Sequence, residues 1–199
     1  MLTIGLTGGS GSGKSSVSEL IALYGIPSIN ADKLYHELTR AGCELTLLLS
    51  EHFGKSVIGD DGTLNRRALA DIVFSDLTGE LLSKLNSLTH GAVINQALKL
   101  IDIERRKGTR AIIFDAPLLF ESGFDKKCDY IISVIADENL RLQRIIKRDG
   151  ITMDAAKKRI SSQKNDEFLI SHSDFIIRNN GDFTELHDQI DEMIKKIFR

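Results

Sequence analysis

The sequence predicts an α/β fold, a parallel sheet with helices on both faces. Three observations predict it. Short apolar, partly β-branched segments alternate along the chain with segments of helical period. Two of the apolar segments, Ala111–Phe114 and Tyr130–Ile135, are near-continuous, as central strands covered on both faces must be. A glycine-rich turn joins the first strand to the first helix, the arrangement that opens a doubly wound sheet.

The elements follow in order. Leu2–Leu6 (LTIGL) reads as a buried strand bounded by glycine. From Ser15 the period changes, and Val17, Leu20, Ile21 and Tyr24 form one helical stripe. Gly25 stands where a C′ glycine stops that helix, and Pro27 follows. A second strand, Ile26–Ile29, ends at Asn30-Ala31-Asp32. Between Asp32 and Thr109 no core strand is legible. The helical stretches there are Lys33–Arg40, Glu44–Phe53, Arg66–Ser75, Glu80–Thr89 and Gly91–Arg106. After the strands at 111 and 130 comes a helical, basic insert, Asp137–Glu167. Phe175–Ile177 is the fifth strand candidate, and the final helix, Glu185–Phe198, repeats apolar residues at helical spacing.

The 199 residues suffice for one α/β domain, or for one domain carrying an insertion. Hydrophobic content of 42% and charged content of 27% are those of a globular protein. A net charge of −2 argues against a nucleic-acid binder, which carries a basic excess. Cys43 and Cys128 lie far apart and form no CxxC, so they read as inert thiols in a reducing compartment. No signal peptide is visible, and no apolar run approaches the ~20 residues that span a bilayer. The chain therefore reads as cytoplasmic and soluble, with no membrane partner.

Gly8-Gly9-Ser10-Gly11-Ser12-Gly13-Lys14-Ser15 fits GxxxxGK[ST] in the strand-before, helix-after context that the pattern demands. Glycines let backbone N–H groups curl around a polyphosphate, and the helix that follows aims its free N–H groups at the same anion. Lys14 reaches the outer phosphates, and the Ser15 hydroxyl suits Mg²⁺. Asp32, past the carboxyl end of the second strand, reads equally as a general base for an attacking hydroxyl or as the N-cap of the next helix. Asp115 holds either a Walker-B-like position toward Mg²⁺ or the start of a turn. Arg141, Arg144 and Arg148 share one helix face, suited to phosphate oxygens or simply solvated. No NKxD guanine motif follows a late strand. Three readings stand at this point: a small-molecule kinase using ATP and Mg²⁺, with the acceptor open; a kinase for a nucleotide or sugar acid; and a nucleotide-dependent switch without an acceptor.

The chain resembles the dephospho-CoA kinase family. The resemblance rests on IGLTGGSGSGKSSV, INAD at 29–32, DGTLNRRAL at 61–69, His90, DAPLLFE at 115–121, RLQRIIKRDGIT at 141–152, RISSQ at 159–163 and IRNNGD at 177–182, in order along nearly the whole chain. It implies a P-loop kinase with a five-stranded parallel core, a helical substrate-binding insert and a helical lid. The reaction it implies is transfer of phosphate from ATP to the ribose 3′-hydroxyl of dephospho-CoA. Residues 1–31, 109–136 and 168–199 would be the nucleotide-binding core, 32–108 the CoA-binding region and 137–167 the lid. Asp32 becomes the base, with Lys14 and Arg144 beside it in catalysis. Gly8, Gly9, Gly11, Ser12, Gly13, Lys14, Ser15, Ser16 and Arg148 would hold the phosphates, and Asn179, Asn180 and Gly181 the adenine. Leu118, Leu119, Glu121, Arg66 and His90 would face the acceptor, and Ser15 and Asp115 the metal. The chain departs from the family pattern at Ser10, where an apolar residue is common, at Asn30, where an aspartate is, and at Gly91, where a proline follows the histidine. The implied partner is a small molecule; a monomer and a homo-oligomer both remain open.

Overall fold

The computed structural model describes residues Met1–Arg199. The chain forms two compact units, Met1–Ile29 with Glu104–Arg199, and Asn30–Ile103. A five-stranded sheet runs in the order β2-β3-β1-β4-β5, comprising β1 (Leu2–Gly8), β2 (Ser28–Asn30), β3 (Ala111–Asp115), β4 (Tyr130–Ile135) and β5 (Phe175–Arg178). β1 is central and pairs in parallel with β3 and β4, while β4 pairs in parallel with β5. Leu6 lies beside Asp115, Gly8 beside Val134, and Ile135 beside Arg178. This register brings the carboxyl ends of four strands to one edge, where an open α/β sheet holds its ligand.

The predicted stripe on α1 (Lys14–Ala22) is real: Val17, Leu20 and Ile21 are buried against Ile4 and Leu6 of β1. α9 (Phe183–Ile197) buries Leu186, Ile190, Met193 and Ile197 in the same core. Its N-cap is Asp182, whose carboxylate accepts from the N–H groups of Thr184 and Glu185. Gly5 is glycine because Leu119 and Cys128 occupy the space a Cβ would take, with Leu119 Cδ2 only 2.7 Å from that position. Burial, and then the nearby Asp125 and Asp129 carboxylates, push the Cys128 thiol up to about 12, so the thiolate is scarce at neutral pH.

The second strand starts later than the expected Ile26. Pro27 has no N–H to donate and only accepts, from Ile113 N–H at 2.9 Å. Three helices complete the first unit, α6 (Glu138–Asp149), α7 (Met153–Ser161) and α8 (Asp166–Ser171). Leu142, Ile145 and Ala156 join α6 to α7 in a small core of their own.

The second unit is helical, as its missing strand pattern requires. α2 (Ala31–Leu38), α3 (Glu44–Phe53), α4 (Arg66–Ser75) and most of α5 (Glu80–Arg106) enclose Leu45, Leu49, Phe53, Leu69 and Val73. α2 begins two residues before the expected Lys33. Its cap is Asn30, whose side-chain oxygen accepts from Lys33 N–H at 2.9 Å. Asp32 is therefore not the cap, which removes the bland reading of that residue.

The two helices expected at Glu80–Thr89 and Gly91–Arg106 are one helix of 27 residues. Thr89 stays helical, with its hydroxyl donating to Leu85 O at 2.8 Å, and Gly91 has no positive φ. No helix is long and apolar enough to cross a membrane. A glycine inside a helix loosens the unfolded chain, and a Cβ at Gly91 would meet nothing within 4 Å. Gly91→Ala should therefore stabilise the fold by about 0.5–1 kcal/mol, measured by urea unfolding. A destabilised variant would show that this position needs the glycine.

Candidate active site

The phosphate loop begins where β1 ends. Gly11 and Gly13 take φ of +78° and +87°, the left-handed region in which other residues are strained. Gly13 is the N-cap of α1, and no side chain caps that helix. The Lys14 and Ser15 N–H groups are thus left to a ligand at the positive end of the helix dipole, while Ser16 N–H donates back to Gly13 O at 3.0 Å.

Side chains from α6, from the turn after α7 and from the end of β5 fix the loop. Arg141 Nε donates to Ser10 O at 3.0 Å, and Arg144 Nη1 to Gly11 O at 3.2 Å. Asn179 Nδ2 donates to Ser12 O at 2.8 Å, while Arg144 Nη2 donates to Asn179 O at 3.1 Å. Gln163 Oε1 accepts from Ser10 N–H at 2.8 Å. Three successive carbonyls of the loop are taken by side chains. The glycines make this possible. A Cβ on Gly13 would collide with the Asn179 amide, and one on Gly11 would lie 2.6 Å from Arg141 O.

The charges at this edge are paired. Lys14 Nζ forms an ion pair with Asp115, which is buried at the end of β3. Ser12 Oγ is buried without a partner. Uncapped helix N–H groups, a lysine at their edge and a left-handed glycine cradle fit a polyphosphate. No group of three or more His, Cys, Asp or Glu side chains gathers to hold a metal alone. Mg²⁺ characteristically uses one or two protein oxygens together with phosphates, and exposed Ser15 could supply one.

A profile of the dephospho-CoA kinase family matches residues 2–185. The chain belongs to the dephospho-CoA kinase family. The dephospho-CoA kinase of Fusobacterium nucleatum is 39% identical over 197 residues, 99% of each chain. That of Corynebacterium efficiens is 36% identical over 197 residues, covering 99% of this chain and 98% of the other. The solved structure of dephospho-CoA kinase from Campylobacter jejuni superposes with a TM-score of 0.71 at 28% identity, covering 98% and 96% of the two chains.

The remaining predicted residues of this kinase fall into separate settings. Leu118 is exposed, but Leu119 is fully buried over Gly5, so it is a core residue and offers no surface to an acceptor. Glu121 is exposed and lines a crevice of about 40 Å³ with Gly8, Gly9, Leu118 and Gln163. Asn180 is engaged by Asp137: its Nδ2 donates to Asp137 Oδ1 at 2.7 Å, and its Oδ1 accepts from Asp137 N–H at 2.8 Å. Gly181 admits the Glu185 carboxyl where a side chain would stand. Ser16 is exposed in the first turn of α1.

In the second unit, Asp32 is exposed in the first turn of α2, and His90 is half-buried within α5. Arg66 Nη2 lies 2.7 Å from His36 Nδ1 and 3.1 Å from Thr39 Oγ1, with the guanidinium 5.8 Å from the Tyr35 ring centre. A cavity of about 820 Å³ opens elsewhere in the first unit among Tyr24, Pro27, Arg110 and Phe198, and holds none of the predicted residues.

Sequence reasoning offered Arg141 only with Arg144 and Arg148, toward phosphate oxygens or solvent, and gave Gln163 no role. The available signal for Arg141 was its place beside Leu142 and Ile145, at the margin of the buried face of α6.

Arg148 is held by Asp149, which also pairs with Arg159. Arg148 foremost, with Arg159, holds the Asp149 carboxyl at about 2. A depressed carboxylate stabilises the fold above its unfolded pKa, and that contribution is lost as pH falls through the folded value. The clasp joining α6 to α7 should therefore persist at pH 4 and open as pH approaches about 2. A carbon-detected titration of Asp149 should show this midpoint, and Arg148→Ala should raise it; a midpoint near 4 in the unsubstituted protein would contradict the clasp.

Proposed function

We propose that the protein transfers the γ-phosphoryl group of ATP to the ribose 3′-hydroxyl of 3′-dephospho-CoA, giving CoA and ADP, the last step of CoA biosynthesis. The observation that carries this reading is the phosphate loop, with its uncapped α1 and its pinned carbonyls, in a chain of this family. The loop residues Gly8–Ser15 hold the β- and γ-phosphates through backbone N–H groups. Lys14 leaves Asp115 for the phosphates, and Arg144 places a guanidinium beside Gly11 and Ser12. Mg²⁺, held by Ser15 and Asp115 together with the phosphates, would neutralise charge that develops on the transferring group. Most of the rate enhancement then comes from positioning and electrostatics.

Asp32 is the base in this scheme. It follows β2 by two residues, its carboxylate is exposed, and the capping role belongs to Asn30. Its carboxylate accepts the proton of the 3′-hydroxyl as the oxygen attacks phosphorus. Residues 32–108 receive the acceptor, with Arg66 and His36 supplying a cationic and hydrogen-bonding surface for its phosphates. Residues 137–167 act as the lid and exclude water, which would otherwise accept the phosphoryl group. Asn179, Asn180 and Gly181 border the adenine of ATP, and the enzyme works in the cytoplasm.

Two measurements test this. ADP release should be stimulated by dephospho-CoA far more than by nucleotides or sugar acids, and an acceptor panel without that stimulation would refute the assignment. Asp32→Asn should leave ATP affinity within about twofold and cut turnover by roughly 10²–10⁴-fold, the size of a lost general base. Turnover near the wild-type rate would remove Asp32 from the mechanism.

A further inference from the structure

Only two charged residues are buried in this protein, Asp115 and Arg141, and both reach the phosphate loop region. Asp115 does so through Lys14. Arg141 has no such obvious reason to be inside. Leu142 and Ile145 already anchor α6 to its neighbours, and burying a guanidinium costs free energy unless it is paired. Its pairing is incomplete. Nη1 meets Asp166 Oδ1 at 3.4 Å, Nε donates to Ser10 O, and Nη2 is buried without a partner. The Arg141 main chain also lies against Gly11, close enough to exclude a Cβ there.

We propose that Arg141 is a positioning residue of the phosphate loop, aimed by Asp166 on α8. The proposal rests on the loop's use of a nucleotide and adds a part to it. The Ser10 carbonyl and the Gly11 N–H belong to one planar trans peptide and point in opposite directions. The guanidinium that holds the carbonyl thereby turns the Gly11 N–H away from itself, free for an anion. Gln163 holds the preceding peptide through Ser10 N–H. Asp166 fixes the guanidinium plane from outside the loop, and the unpaired Nη2 leaves positive charge beneath Gly9. Arginine serves because its planar fork reaches carbonyl and carboxylate at once, which an ammonium cannot do.

The test measures Mg·ATP affinity by calorimetry, with kcat and KM alongside, for the full chain and for Arg141→Gln, Arg141→Lys, Asp166→Asn and the Arg141→Gln/Asp166→Asn double variant. Arg141→Gln should weaken Mg·ATP by about tenfold, and Arg141→Lys should not restore it. Asp166→Asn should weaken Mg·ATP by about threefold, as suits a partly exposed ion pair. The double variant should bind no more weakly than Arg141→Gln alone, and KM for dephospho-CoA should stay unchanged. Thermal midpoints report folding separately, and if Arg141→Gln does not fold, Asp166→Asn decides. Wild-type Mg·ATP affinity in Asp166→Asn, additive losses in the double variant, or full rescue by lysine would overturn the proposal. A wild-type protein that binds Mg·ATP but ignores dephospho-CoA would refute the proposed function and leave this affinity series intact.

Discussion

The first unit is organised around the capture of the loop carbonyls. Ser10, Gly11 and Ser12 each give their C=O to a side chain from a later part of the chain. Every other requirement of the site follows from this. The donors must come close, so the loop must be glycine at 11 and 13. The donors must arrive from the correct side, so α6 must follow β4 and Asn179 must follow β5. β1 must sit between β3 and β4, so that the loop emerges amid the other strand ends. A repeated pattern of glycines is commonly explained by the ligand alone. Here it is also explained by the protein's own side chains.

Charge follows the same logic. Lys14 is partnered by Asp115, Arg141 in part by Asp166, and Arg148 by Asp149. Asp115 sits at the end of β3, and in the proposed mechanism the lysine exchanges its carboxylate for a phosphate oxygen. Compact pairing of this kind lowers the reorganisation required when a phosphate arrives.

Much of this was legible in the sequence, for identifiable reasons. Glu44–Phe53, Arg66–Ser75 and Tyr130–Ile135 agree with the structure because apolar period and turn residues coincide there. The break expected at Gly91 did not occur, because one glycine weakens a helix without ending it when both flanks are strongly helical. Asn30 and Asp32 are both good caps, and their local pattern does not say which will be used. Leu119 and Leu118 are chemically identical neighbours, and only the absent Cβ of Gly5 sends one of them inward. Arg141 was legible only as one of three arginines on a helix face, toward phosphate or water, and not as a buried donor to the loop itself. Its burial depends on a contact 131 residues away in sequence, which no local window contains.

The loop precedes in the chain every residue that shapes it, 141, 144, 163 and 179. β1 likewise finds its sheet neighbours only after residues 111 and 130 have been synthesised. A growing chain therefore carries the loop sequence before the residues that shape the loop exist. The loop gains its full set of side-chain donors only when β5 delivers Asn179. Contacts of such long range fold slowly, so the loop takes its final shape only once the sheet around it has formed.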